Sequence, residues 1–215
     1  MTKAALAGVA MMVALAAPLS GDSWPAATVK EVFSESREWF VRVVPGKSLG
    51  DTVGFAGAPK GPYARAEFYR RAADRSYRLT TAITLENPIA PVHFLVTDRG
   101  YLVTLDNWHN VGYGQMLVAY TSAGKRVASY ALKDLFSKDE IESFSHSTSS
   151  IHWRSETIYV RSGQRSIYVG LNREGFEVIF EPETGSWQQC EWRGEQHLCR
   201  GDNVRRMWRA FREIS

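Results

Sequence analysis

The densest run of residues able to do chemistry is Asp106-Asn107-Trp108-His109-Asn110-Val111-Gly112-Tyr113-Gly114. It offers a carboxylate, two amides, an imidazole and two aromatic faces within nine positions. Trp108 and Tyr113 could stack on a sugar ring while Asn107 and Asn110 fix its hydroxyls, which is how a loop on a rigid scaffold recognises a small ligand. The same residues have a structural reading. Asp and Asn side chains close turns on their own backbone, Trp108 suits a core, and Gly112 and Gly114 permit left-handed backbone.

A second cluster, Ser145-His146-Ser147-Thr148-Ser149-Ser150-Ile151-His152-Trp153, supplies hydroxyls and imidazoles. Combined with Asp106 and His109 it could be drawn as an acyl-transfer set, in which His109 is the base and Asp106 orients it. No Gly-x-Ser-x-Gly elbow is present, so the stretch reads first as a solvated Ser-rich loop. His93, His109, His146 and His152 show no metal-ligand spacing, and no metal is expected. Asp106, Glu156 and Glu177 are carboxylates for glycoside hydrolysis only if the fold separates a pair of them suitably. No phosphate-cradling glycine loop opens a helix, so no cofactor is implied.

Cys190 and Cys199 are the only cysteines. With Gly194-Glu195 as a two-residue turn, Arg193 faces Gln196, Trp192 faces His197, Glu191 faces Leu198 and Cys190 faces Cys199. That register predicts a disulfide, worth about 2.7 kcal/mol for a roughly ten-residue loop by the chain-entropy argument. Zinc held by Cys190, His197 and Cys199 is the alternative, lacking a matching second pair.

The elements that must position these groups are mostly strands. Short stretches of β-branched and aromatic residues, separated by Gly, Asp, Asn and Ser, run from Phe33 to Ile179. Strands are expected over 38–44, 65–71, 76–85, 92–97, 101–106, 115–121, 126–132, 157–161, 166–171 and 175–181. Ser137-Lys138-Asp139-Glu140 is a capping box that predicts a short inserted helix with Ile141 and Phe144 on one face. Val204, Met207, Trp208, Phe211 and Ile214 recur at helical spacing, predicting an amphipathic helix over 203–214 with Asp202 as its cap. Its other surface carries Arg205, Arg206, Arg209 and Arg212, a weak match for an anionic surface. Five Gly and three Pro residues make 45–62 a long loop.

The run from Arg99 to Asp106, then Gln115 to Lys125, then Arg126 to Leu132 resembles one blade of a β-propeller: two strands, a glycine turn and an outer strand. Fainter copies lie in 38–85 and 157–187. The wording is also similar to uncharacterised exported bacterial proteins with such blade repeats, although the Trp-Asp and Gly-His pairs of WD repeats are missing. The resemblance implies antiparallel meanders forming an incomplete propeller. A two-sheet sandwich is the alternative fold.

At 215 residues, 44% of them hydrophobic and 23% charged, the chain suits one all-β domain over 27–215. The formal charge of +3 falls well short of a nucleic-acid footprint. Lys3 followed by the uncharged, mostly apolar run Ala4 to Leu19, with Ala14 and Ala16 as a small-residue cleavage pattern, reads 1–20 as a secretory signal peptide. The protein is therefore expected in the periplasm or outside the cell. Its expected role is non-catalytic recognition of a glycan, envelope component or protein through Asp106, Asn107, Trp108, His109, Asn110 and Tyr113. A hydrolase using His109 and Asp106, and an assembly subunit pairing through exposed sheet edges, are the alternatives.

Overall fold

The computed structural model describes residues 24–160, 165–193 and 196–201. The leader over 1–20, the terminal helix over 203–214 with its arginines, and the Gly194-Glu195 turn lie outside them.

Within that range the chain is all-β, laid out as successive antiparallel meanders. Lys30–Phe33 (β1), Trp39–Val44 (β2), Arg65–Arg71 (β3) and Tyr77–Thr84 (β4) form the first sheet, and Pro91–Val96 (β5), Leu102–Asn107 (β6), Leu117–Tyr120 (β7) and Arg126–Tyr130 (β8) the second. Two short helices follow, Leu132–Leu135 (α1) and Lys138–Ser143 (α2), then a two-stranded ladder of Ser145–His146 (β9) and Ile151–His152 (β10). Arg154–Val160 (β11), Ile167–Leu171 (β12), Phe176–Glu181 (β13), Ser186–Arg193 (β14) and Gln196–Gly201 (β15) complete a third sheet of five strands. Strands within each sheet are neighbours in sequence, and no sheet closes on itself. The three segments that resemble blades each fold as their own meander.

The second sheet lies between the other two because β6 and β7 carry buried apolar side chains toward both. Side chains alternate across a strand. Leu102, Val118 and Tyr120 join Val41, Val43, Ala66 and Phe68 of the first sheet in one core. Val103, Leu105, Leu117 and Ala119 join Ile167, Val169, Val178 and Phe180 of the third sheet in another. Every residue of β6 and β7 is buried. Full burial of each large apolar side chain contributes about 1.5–3 kcal/mol, so a polar substitution on either face of this sheet would open a core.

Several sheet edges carry devices that resist pairing with another chain. Thr80 is an extra residue in β4 opposite the Phe68–Tyr69 step, and its hydroxyl donates to the Phe68 carbonyl at 3.0 Å. Register shifts also interrupt β8 and β11, and β5 opens with Pro91. Bulges and prolines bend an edge away from a would-be partner.

Local expectations meet the structure unevenly. The hairpin register is as the turn chemistry predicts, with Cys190 opposite Cys199 and Trp192 opposite His197, and the two cysteines form a disulfide. The capping box is present: Ser137 Oγ accepts the Glu140 amide at 3.4 Å and Glu140 accepts the Ser137 amide at 3.0 Å. Three readings need correction. The strand expected over 126–132 stops at Tyr130, because Leu132 opens α1 and Asp134 accepts the Ala131 amide at 2.8 Å. The Ser-rich stretch is largely exposed, as a solvated loop would be, but its ends pair: Ile151 with His146 and His152 with Ser145. The strand expected over 157–161 begins at Arg154, three residues early.

Candidate functional site

Asp106 stands near the end of β6 in left-handed backbone, φ 60°, and His109 three residues on repeats that conformation at 73°. Such φ values are rare outside glycine and persist only where surrounding bonds hold them. Here those bonds are on the Asp106 carboxylate. Oδ1 accepts the Trp153 indole N–H at 2.8 Å and the Gly112 amide at 2.9 Å, and Oδ2 accepts Arg154 Nε at 2.6 Å. Gly112 itself has φ 77°, and a Cβ there would meet the Ile151 carbonyl oxygen at 2.8 Å, so only glycine fits. The result is a buried clasp between the β6–β7 loop and the start of β11.

The two asparagines are likewise occupied. Asn107 Nδ2 donates to the Tyr113 carbonyl at 2.9 Å, and its Oδ1 accepts from Asn87 at 2.8 Å. Asn110 Nδ2 donates to the carbonyls of Val53 at 3.1 Å and Ser149 at 3.3 Å. Asp106, Asn107 and Asn110 therefore build the loop, while Trp108, His109 and Tyr113 are half-buried on its surface. Trp108 donates its indole N–H to the Pro25 carbonyl at 3.0 Å. The His109 ring has Trp24 at 5.8 Å and Phe55 at 5.3 Å between centroids, and burial lowers its pKa.

The acyl-transfer drawing needs Asp106 to hold His109, and the structure does not bring them together. The carboxylate's partners are Trp153, Gly112 and Arg154, and the imidazole's neighbours are aromatic rings. The other histidines are scattered. His146 Nε2 lies 3.1 Å from the Ile141 carbonyl, and His93 is 3.3 Å from Glu156 with its pKa lowered by burial. Among the described residues no three His, Cys, Asp or Glu side chains are grouped to hold a metal.

The loop's other flank lines a cleft of about 280 Å³ against the segment 49–63, with Thr52, Tyr63, Glu86, Asn110, Tyr113 and Gln115 on its walls. The opposing segment is a compact loop whose ends are tied, Lys47 N to Pro62 O at 2.7 Å and Gly50 N to Pro59 O at 3.0 Å. Its charges are internally balanced. Lys60 is 2.5 Å from Asp51, and that contact together with the Ser48 hydroxyl holds the Asp51 carboxyl below its ordinary range. Glu86 pairs with Arg126 and accepts from Ser129 at 2.8 Å. Burial pushes the Tyr63 phenol up.

One atom of the cleft stands apart. Thr52, one of the cleft's lining residues, is only 6% exposed, and its Oγ1 is buried with no hydrogen-bond partner among the described residues. A buried hydroxyl left unpaired is destabilising by about 1–3 kcal/mol. Native structures keep few of these groups.

Thr52, Tyr63 and Glu86 were not among the sequence candidates. The first two sit in a Gly- and Pro-rich stretch that reads as a connector, and no spacing links them to Tyr113.

A second cleft, about 250 Å³ between Asp98, Arg99, Arg165 and Glu183, is internally saturated: Arg99 and Arg165 both reach Glu183, and Asp98 accepts from Ser36. No helix of the described residues is long and apolar enough to cross a membrane. No family model, curated protein or solved structure matches this chain.

Proposed function

We propose that this is an exported, non-catalytic recognition protein that binds a neutral polyhydroxylated ligand, of the kind a glycan or envelope fragment presents, in the cleft between 49–63 and the Asp106–Gln115 loop. The observation that carries the reading is the cleft wall on which Tyr63 and Tyr113 flank Thr52, whose buried hydroxyl has no hydrogen-bond partner among the described residues. Aromatic faces with a few fixed polar groups suit sugar rings. The paired acids Asp51 and Glu86 leave little net charge to attract an ion, which favours a neutral ligand. Export rests on the leader over 1–20, and the Cys190–Cys199 disulfide agrees with an oxidising compartment. Three consecutive meanders are also the layout of blade repeats, and we read the fold as an incomplete propeller.

Two observations weigh against the alternatives. The buried Asp106 carboxylate is bonded to Trp153, Gly112 and Arg154 rather than to His109, and the bulges or proline at the edges β4, β5, β8 and β11 do not suit strand pairing there. The test is a glycan and envelope-fragment screen of the parent beside Tyr113→Ala and Thr52→Val. Binding by the parent that both variants weaken supports the reading. A parent that binds nothing in the screen overturns it.

A further inference from the structure

The opposite flank of the same loop carries a different chemistry. We infer that Trp108 is the centre of a peptide-binding site for a proline-containing aromatic segment, and that the chain's own Trp24-Pro25 occupies it in cis.

The Trp24 ring meets Trp108 edge-on, centroids 5.3 Å apart at 61°, and lies 5.8 Å from His109. Phe55 also packs against His109, centroids 5.3 Å apart. The Trp108 indole N–H donates to the Pro25 carbonyl at 3.0 Å. An aromatic surface with an indole donor aimed at a peptide carbonyl beside proline is how grooves read extended, proline-rich segments, whose stiffness lowers the entropy lost on binding.

The strap is lightly held. Residues 24–29 form no helix or strand, Pro25, Ala26, Thr28 and Val29 are exposed, and the segment joins the body through the four-residue strand β1. Among the described residues, the one side-chain hydrogen bond reaching 24–29 comes from Trp108. Trp24 and Pro25 also wall a space of about 410 Å³ that runs past Val111 and His152 to Arg154 and Glu156. A separate chain of the same chemistry would find the ring platform once the strap leaves it. It must displace a tethered competitor whose effective concentration is of the order of millimolar.

The test uses the whole chain and a capped peptide of the sequence Trp-Pro-Ala-Ala-Thr-Val carrying a fluorophore, read by anisotropy. Trp24→Ser removes the internal competitor, and Trp108→Phe in that background keeps a ring but deletes the indole donor. The expected result is that Trp24→Ser binds the peptide at least tenfold more tightly than the parent, and that adding Trp108→Phe reverses most of the gain. Equal binding to parent and Trp24→Ser overturns the inference, as does binding that Trp108→Phe leaves unchanged. Circular dichroism confirms that the variants are folded. Neither Trp24 nor Trp108 lines the cleft that Thr52 and Tyr113 share, so the peptide titration and the glycan titration report on the two readings separately.

Discussion

Arg154 Nε lies 2.6 Å from Asp106 Oδ2, with the two side chains 4% and 0% exposed. The pair joins the second sheet to the third, and Trp153 and the Gly112 amide complete the coordination of the carboxylate. Removing one partner of a buried ion pair is destabilising by about 3–5 kcal/mol, because the other charge stays behind unpaired. Asp106→Ala should therefore unfold at much lower urea. Trp153→Phe, which deletes one hydrogen bond and part of a ring, should lose less. Urea denaturation of the two variants checks the order, and an Asp106→Ala midpoint close to that of the parent would contradict the clasp.

Thr52→Val should separate stability from binding. It removes a buried hydroxyl without a partner and keeps the shape, so folding should be unchanged or stabilised by about 1 kcal/mol. Ligand affinity should fall at the same time, by up to about tenfold for one neutral hydrogen bond. Thermal melting and calorimetric titration together read both effects.

The disulfide closes a nine-residue separation between β14 and β15. Cys190→Ala with Cys199→Ala should lower stability by about 2–3 kcal/mol. The same loss should follow when the parent is assayed in reductant, and the double variant should be indifferent to reductant.

Acid should destabilise the fold through two histidines. Burial holds the imidazoles of His93 and His109 below their ordinary value of 6.5, and the Arg154 charge adds to the effect at His93 against the pull of Glu156. The unfolded chain then binds more protons than the native one across the interval between the native values and 6.5, so stability rises with pH there. The contribution is complete above about 6.5 and is lost as pH falls through the native values. His93→Gln with His109→Gln should flatten the dependence of the urea midpoint between pH 7 and 5. An unchanged slope would place the titration elsewhere.

How much of this was legible in the sequence depended on range. The Cys190–Cys199 register and the Ser137–Glu140 box were readable because a turn or a cap fixes its neighbours locally. Strand β1 has no legible pattern because Lys-Glu-Val-Phe is short and exposed. Helix α1 is hidden in the sequence because Leu132 continues the apolar rhythm of β8. The loop Asp106 to Tyr113 stood out by composition, but its division of labour did not. Whether Asp106 faces a ligand or an arginine depends on Trp153 and Arg154, 47 and 48 residues away, and no spacing rule reaches that far. Thr52 carries no local signal at all, since its significance is the absence of a partner in three dimensions.

The most direct measurement of the central claim is a calorimetric titration of the best glycan from the screen into the parent and into Thr52→Val. The account predicts saturable binding by the parent and a dissociation constant several-fold to tenfold weaker for Thr52→Val, with the fold intact. Equal affinity for the two proteins would place the ligand outside the cleft and contradict the account.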